Sequence, residues 1–157
     1  MFRDITTLLK DAPSFNSTIN LFYERYKKQK IDSIAAIESR GFIIGSALAY
    51  KLGLGFIPIR KKGKLPAETV MEEYTLEYGT DMIEVHKDAI FPGAHILLVD
   101  DLVATGGTAL AACRLIRKLG GSVVECAFVV DLPDLGGKSR LEHEGYNVFS
   151  LVEFEGE

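Results

Sequence analysis

Val123–Val130 reads VVECAFVV, an almost unbroken apolar run with its one charge at Glu125. A half-exposed strand would alternate apolar and polar residues. A run that does not alternate needs apolar cover on both faces, as in a parallel sheet flanked by helices. Ser33–Ile37, Phe56–Ile59 and His95–Val99 are further short strand-like runs, and Val148–Val152 is a last one. Helical spacing fills the intervals. Phe15, Ile19, Phe22, Tyr23 and Tyr26 share one face, with Pro13 near its start. Phe42–Leu52 is stopped at Gly53. Ala109, Ala112, Cys113, Ile116 and Leu119 form a third face closed by Gly120-Gly121, and a short helix is expected near Lys138–Glu144. Thr75–Tyr78 and Met82–Val85 flank Gly79-Thr80-Asp81 as a hairpin, while Lys61–Glu73, with Gly63 and Pro66 and no clean period, reads as a loop. Strands alternating with helices predict an α/β fold, a mostly parallel central sheet flanked by helices, in one domain over residues 1–157.

The bulk properties narrow the function classes. Hydrophobic residues make up 47% and charged residues 25% of the 157 residues, an ordinary globular balance, and the net charge of −4 argues against a general nucleic-acid binder. No apolar stretch approaches the ~20 residues that span a bilayer. Met1–Lys10 carries Arg3, Asp4 and Lys10 without a long apolar run, so a cytoplasmic protein is expected. Cys113 and Cys126 lie in apolar segments and read as buried, reduced thiols. His86, His95 and His143 lack metal-ligand spacing.

Ligands of such sheets bind beyond the carboxyl ends of the strands, so the residues just past each strand carry the chemistry. After His95–Val99 come Asp100 and Asp101, then Leu102-Val103-Ala104-Thr105-Gly106-Gly107-Thr108, then a helix. The glycines allow a tight turn whose N–H groups approach a ligand, and a side chain at Gly106 is expected to block that approach. The helix start adds unsatisfied donors and partial positive charge, and Thr105 and Thr108 add hydroxyls. That is a seat for a phosphate monoester. Two carboxylates beside it suit a diol, so the pair describes a ribose phosphate. Gly137-Lys138-Ser139 is not the end of a Walker loop, because the first glycine of that motif falls at Leu132. No GxGxxG follows a strand.

After Ser33–Ile37 comes Glu38-Ser39-Arg40-Gly41, a second small anion site with Arg40 as counter-charge. After Phe56–Ile59 come Arg60, Lys61, Lys62 and Lys64. Beside a second anion site this basic run makes sense as a clamp for a highly charged group. Pyrophosphate is such a group, and as a leaving group it needs positive charge while its bond breaks.

Taken together, FRDIT (Phe2–Thr6), ESRGF (Glu38–Phe42), IRKKGKLP (Ile59–Pro66), YTLEYG (Tyr74–Gly79) and VDDLVATGGT (Val99–Thr108) resemble the type I phosphoribosyltransferases, and among them the adenine-specific branch, over nearly the whole chain. The resemblance implies transfer of phosphoribosyl from phosphoribosyl pyrophosphate to adenine, giving AMP and pyrophosphate, with Mg²⁺ carried by the substrate rather than by a protein metal site, in a homodimer. It places the ribose phosphate on Asp100, Asp101 and Ala104 to Thr108, and pyrophosphate on Ser39, Arg40, Arg60, Lys61 and Lys64. Adenine falls to Phe2, Arg3 and Leu102, and the catalytic roles to Glu77 and Arg40. Glu77 and Tyr78 ride on a lid spanning about residues 60–86. A cis peptide is implied before Arg40. Oxopurine relatives have an Asp where this chain has Ala104, which leaves Glu77 to handle the base's proton. Family members carry a Pro- and Gly-rich segment ahead of the FRDI stretch, so the hood over the base is short at its amino-terminal side in a chain that begins at Met1. Two alternatives stay open: another purine phosphoribosyltransferase, against which Ala104 and the YTLEYG segment speak, and a non-catalytic regulatory protein of the same fold.

Overall fold

The computed structural model describes residues 5–76 and 78–155. Its elements follow the expected alternation: helices α1 (Thr6–Lys10) and α2 (Ala12–Tyr26), strand β1 (Ser33–Ile37), α3 (Arg40–Leu52), β2 (Gly55–Lys61), β3 (Thr69–Leu76), β4 (Gly79–His86), β5 (His95–Val103), α4 (Gly107–Lys118), β6 (Ser122–Asp131), a 3-10 turn at Pro133–Leu135, α5 (Gly137–His143) and β7 (Val148–Glu153). Among the described residues the strands form one seven-stranded sheet in the order β3-β4-β2-β1-β5-β6-β7. Neighbours from β2 through β7 pair in parallel, and the β3–β4 hairpin joins β2 antiparallel. The sheet is therefore mostly parallel.

Successive strand residues face opposite layers. Ala35, Ile37, Ile96, Leu98, Cys126 and Phe128 pack with α4 residues such as Leu110 and Cys113. Ile34, Ala36, Leu97, Val99, Ala127 and Val129 pack with Phe22 and Tyr26 of α2 and Ile44 and Leu48 of α3. Each fully buried Ile or Leu adds about 1.5–3 kcal/mol. Non-alternating strand sequences are thus explained by two cores, one on each face. Helix α2 begins where Asp11 accepts the Ser14 amide at 3.1 Å, with Pro13 in its first turn. Cys113 and Cys126 are free and buried, their sulfurs 3.5 Å apart between α4 and β6.

Several boundaries differ from the sequence expectation. Lys61–Glu73 is not a loop throughout: β2 runs through Lys61 and β3 begins at Thr69, leaving residues 62–68 as the connection. The hairpin does not turn at Gly79-Thr80-Asp81. Leu76 pairs with Gly79 and Thr75 with Thr80, so Gly79, Thr80 and Asp81 already belong to strand β4. Strand β5 does not stop at Val99 but continues to Val103, pairing Asp100 with Phe128 and Leu102 with Val130. α1 was not anticipated; it is one short turn with no buried residue.

Candidate active site

The crossovers α3 and α4 leave the sheet on opposite faces, from neighbouring strands β1 and β5. The carboxyl ends of those two strands therefore form a topological switch point. A cavity of about 690 Å³ opens there. It is lined by Ser39 and Arg40 from the β1–α3 junction, Lys61 and Lys64 from the end of β2 and its loop, Asp100, Asp101 and Leu102 from β5, and Ala104, Thr105, Gly106, Gly107 and Thr108 at the start of α4. The start of α3 and the start of α4 both face it, so two sets of unsatisfied N–H groups reach one space.

Gly106 is the N-cap residue of α4, with φ at +84°. A Cβ there would lie 2.9 Å from the Gly137 carbonyl oxygen and 3.0 Å from Gly137 Cα. Within the protein, the missing side chain would meet the start of α5. Reciprocally, a Cβ at Gly137 would lie 2.5 Å from the Ala104 carbonyl oxygen, which accepts the Gly137 amide at 2.9 Å. The loop is braced by a second glycine turn. Gly107 faces looser surroundings: a Cβ there would meet Arg140 Nη1 and the Thr75 carbonyl oxygen, each at 3.6 Å.

The acid pair is held closely. A Cβ at Gly41 would lie 2.7 Å from Asp100 Oδ1, so the first turn of α3 approaches the carboxylate as only glycine permits. Asp100 Oδ1 also accepts the Asp101 amide at 2.8 Å. Burial, and after it the Asp101 carboxylate, push the Asp100 carboxyl well above the usual carboxylate range. Asp101 is buried, and Arg40 Nε lies 2.7 Å from its Oδ2. The cis peptide lies between Glu38 and Ser39, one residue earlier than the expected position before Arg40.

Not every sequence-assigned residue reaches the cavity. Arg60 stands outside its lining, with Nε 3.5 Å from Glu38 Oε1. Glu38 also accepts the Lys61 amide. Tyr78 is 93% exposed and lies outside the lining too. Phe2, Arg3 and Glu77 lie outside the described residues. Conversely, Glu38, Tyr74, Leu76 and Ile83 line the cavity without having been assigned to it. Tyr74 is buried, with its hydroxyl 3.4 Å from Asp81 Oδ2, and burial and then Asp81 raise its phenol pKa. The signal for Tyr74 and Leu76 was the YTLEYG stretch itself, read as lid and not as wall. The hairpin carrying it is tied to α4, since Lys118 Nζ lies 2.5 Å from Glu72 Oε2 and donates to the Met71 carbonyl at 3.2 Å.

The family described as "Phosphoribosyl transferase domain" matches residues 4–155. An adenine phosphoribosyltransferase of Nitrosospira multiformis is 64% identical over 99% of this chain and 89% of its own length. The crystal structure of adenine phosphoribosyltransferase from Thermoanaerobacter pseudethanolicus superposes with a TM-score of 0.93 at 50% identity, covering 98% of this chain and 88% of that one. The Saccharomyces cerevisiae enzyme, solved with an imino-altritol bisphosphate and adenine, gives 0.90 at 41% identity, over 96% and 86%. With its sheet order, its switch-point cavity and these likenesses, the chain belongs to the phosphoribosyltransferase family, within the adenine phosphoribosyltransferases.

Proposed function

We propose that the chain transfers the 5-phosphoribosyl group of phosphoribosyl pyrophosphate to adenine, giving AMP and pyrophosphate. The observation that carries this reading is the cavity shared by two helix starts, with an acid pair between them and Arg40, Lys61 and Lys64 in its lining. The N–H groups and hydroxyls from Ala104 to Thr108 take the ribose phosphate. Asp100 and Asp101 take the ribose hydroxyls. Ser39, Arg40, Lys61 and Lys64 take pyrophosphate, with Arg60 behind them, and their charge favours its departure from the anomeric carbon. Leu102 covers the base together with Phe2 and Arg3. As the base nitrogen bonds to the anomeric carbon and the bond to the pyrophosphate oxygen breaks, the base loses its imidazole proton, which the family resemblance gives to Glu77.

Mg²⁺ fits this scheme as a substrate-borne ion. That reading comes from the family resemblance, and Mg²⁺ commonly rides on phosphate oxygens with few protein ligands. Bound there, it would neutralise pyrophosphate charge, with Asp100 and Asp101 as carboxylates of the same cavity. We also read residues of about 60–86 as a lid, and the active species as a cytoplasmic homodimer, on the family resemblance. No helix among the described residues is long and apolar enough to cross a membrane.

Conversion of radiolabelled adenine, run beside hypoxanthine and guanine, tests the assignment. Adenine is expected to react and the oxo purines to be disfavoured by about 10–100-fold, since reversed donors and acceptors leave buried groups unpaired. Equal turnover of adenine and hypoxanthine rejects the adenine reading. No turnover of any base with intact AMP binding supports the regulatory alternative.

A further inference from the structure

Glu84 lies in β4 between Ile83 and Val85 and is only 2% exposed. It makes no ion pair with any described residue. Its carboxylate instead closes the neck of the 62–68 loop. Oε1 accepts the amides of Gly63 at 3.2 Å and Leu65 at 3.0 Å, and Oε2 accepts the Thr69 hydroxyl at 3.0 Å. The two amides held by Oε1 flank Lys64 on either side. Lys64 itself is exposed and lines the cavity beside Ser39 and Arg40. The loop also contains Ala67 at φ +80°, a conformation alanine adopts only at a cost, so its shape needs an external hold.

We propose that Glu84 is a positioning residue for Lys64, holding the amides of its two neighbours, Gly63 and Leu65, so that the ammonium group is presented to pyrophosphate. The inference rests on the pyrophosphate reading of this side of the cavity. Both neighbouring amides are already bonded in the folded chain before any ligand arrives. What remains to be ordered on binding is the Lys64 side chain alone, and the entropy of arranging a free loop does not weaken the contact. A carboxylate does this better than a neutral acceptor because bonds from N–H groups to a charged oxygen are the stronger kind.

The full chain carrying Glu84→Ala, Glu84→Gln, Glu84→Asp, Lys64→Ala and the Lys64→Ala/Glu84→Ala pair tests this through KM for phosphoribosyl pyrophosphate, kcat, and calorimetric affinity for AMP. Glu84→Ala is expected to raise the KM for phosphoribosyl pyrophosphate about 10-fold while kcat at saturation and AMP affinity stay within about twofold. Glu84→Gln, which keeps an oxygen toward the two amides, recovers most of the loss. In the Lys64→Ala background, Glu84→Ala adds nothing. An unchanged KM in Glu84→Ala beside a raised KM in Lys64→Ala overturns the inference and leaves the pyrophosphate reading standing. Losses that simply add, or an equal fall in AMP affinity, also overturn it, since both indicate general loosening. No effect of Lys64→Ala overturns the pyrophosphate role of Lys64 and this inference with it. Should Glu84→Ala fail to fold, Glu84→Asp decides. Its shortened carboxylate cannot span the loop neck, so a raised KM supports the inference and a normal one overturns it.

Discussion

Arg40 Nε lies 2.7 Å from Asp101 Oδ2, and this contact joins the start of α3 to the end of β5 across the cavity. Arg40 opens α3 beyond the end of β1, and Asp101 sits near the end of β5. The cation assigned to pyrophosphate and the anion assigned to the ribose thus constrain one another before any ligand is present. Asp101 is buried, while the Arg40 side chain keeps about a third of its surface, 32%, exposed. Removing the arginine leaves a carboxylate with little water to replace it.

Arg40→Ala is therefore expected to lower stability by about 1–2 kcal/mol, the cost of orphaning a buried charge discounted for the arginine's exposure. It should also weaken pyrophosphate binding. Arg40→Lys restores charge but not the planar guanidinium contact, so it should recover more of the pyrophosphate affinity than of the stability. Urea unfolding and calorimetry with pyrophosphate measure the two separately.

Gly106 and Gly107 should respond differently to alanine. At Gly106 the added Cβ meets the Gly137 backbone and the residue must keep a left-handed φ, so a loss of about 2–4 kcal/mol is expected together with loss of AMP binding. At Gly107 the Cβ meets only ordinary contacts, and alanine is the better helix former there. Stability should stay within about 1 kcal/mol of the parent while AMP binding falls. Thermal unfolding beside AMP titration separates the cases. Normal AMP affinity in both variants would place the phosphate seat elsewhere.

Asp100 gives the site a pH signature. Its raised pKa means that the folded chain holds this proton more tightly than the unfolded chain does. Stability from this group is therefore lost as pH climbs above the ordinary carboxylate value of 3.8 toward the folded-state value. Asp100→Asn does not titrate and keeps an oxygen for the Asp101 amide. The variant should be more stable than the parent at neutral pH, with the difference shrinking as pH falls toward the ordinary carboxylate range. A difference that does not vary with pH contradicts the account.

Glu77 carries the proton in the proposed reaction. Glu77→Gln should slow the chemical step by about 10²–10⁴, the usual range for losing a general acid–base group. Affinity for phosphoribosyl pyrophosphate should change little, because its own contacts remain. Single-turnover kinetics read the step directly, and a parental rate in the variant removes Glu77 from the mechanism.

The order of elements was legible because the two hydrophobic periods differ so plainly between VVECAFVV and the Ala109–Leu119 face. That the residues from Asp100 to Thr108 share one cavity was legible because they are contiguous. Harder to read were features made by partners far away in the chain. Asp100 and Asp101 are poor strand formers held in β5 by pairing with β6. Thr69–Glu73 shows no clean alternation because β3 is the half-exposed edge strand of the sheet, so this part of it looked like a loop. Gly137 was noticed only as part of a rejected Walker motif, since only the folded chain brings it against Gly106. Glu84 drew no attention in the sequence; its partners are loop amides about twenty residues upstream.

The Gly106–Gly137 contact has a consequence for anyone redesigning this scaffold. The two glycines are thirty-one positions apart and belong to different helix starts, yet neither admits a methyl group without displacing the other's backbone. Sterically they form one unit. Grafting the Ala104–Thr108 loop into another sheet without the Gly136-Gly137 turn would carry over the motif and leave its shape behind. Chimeras that exchange both segments together should fold, and those that exchange one should not.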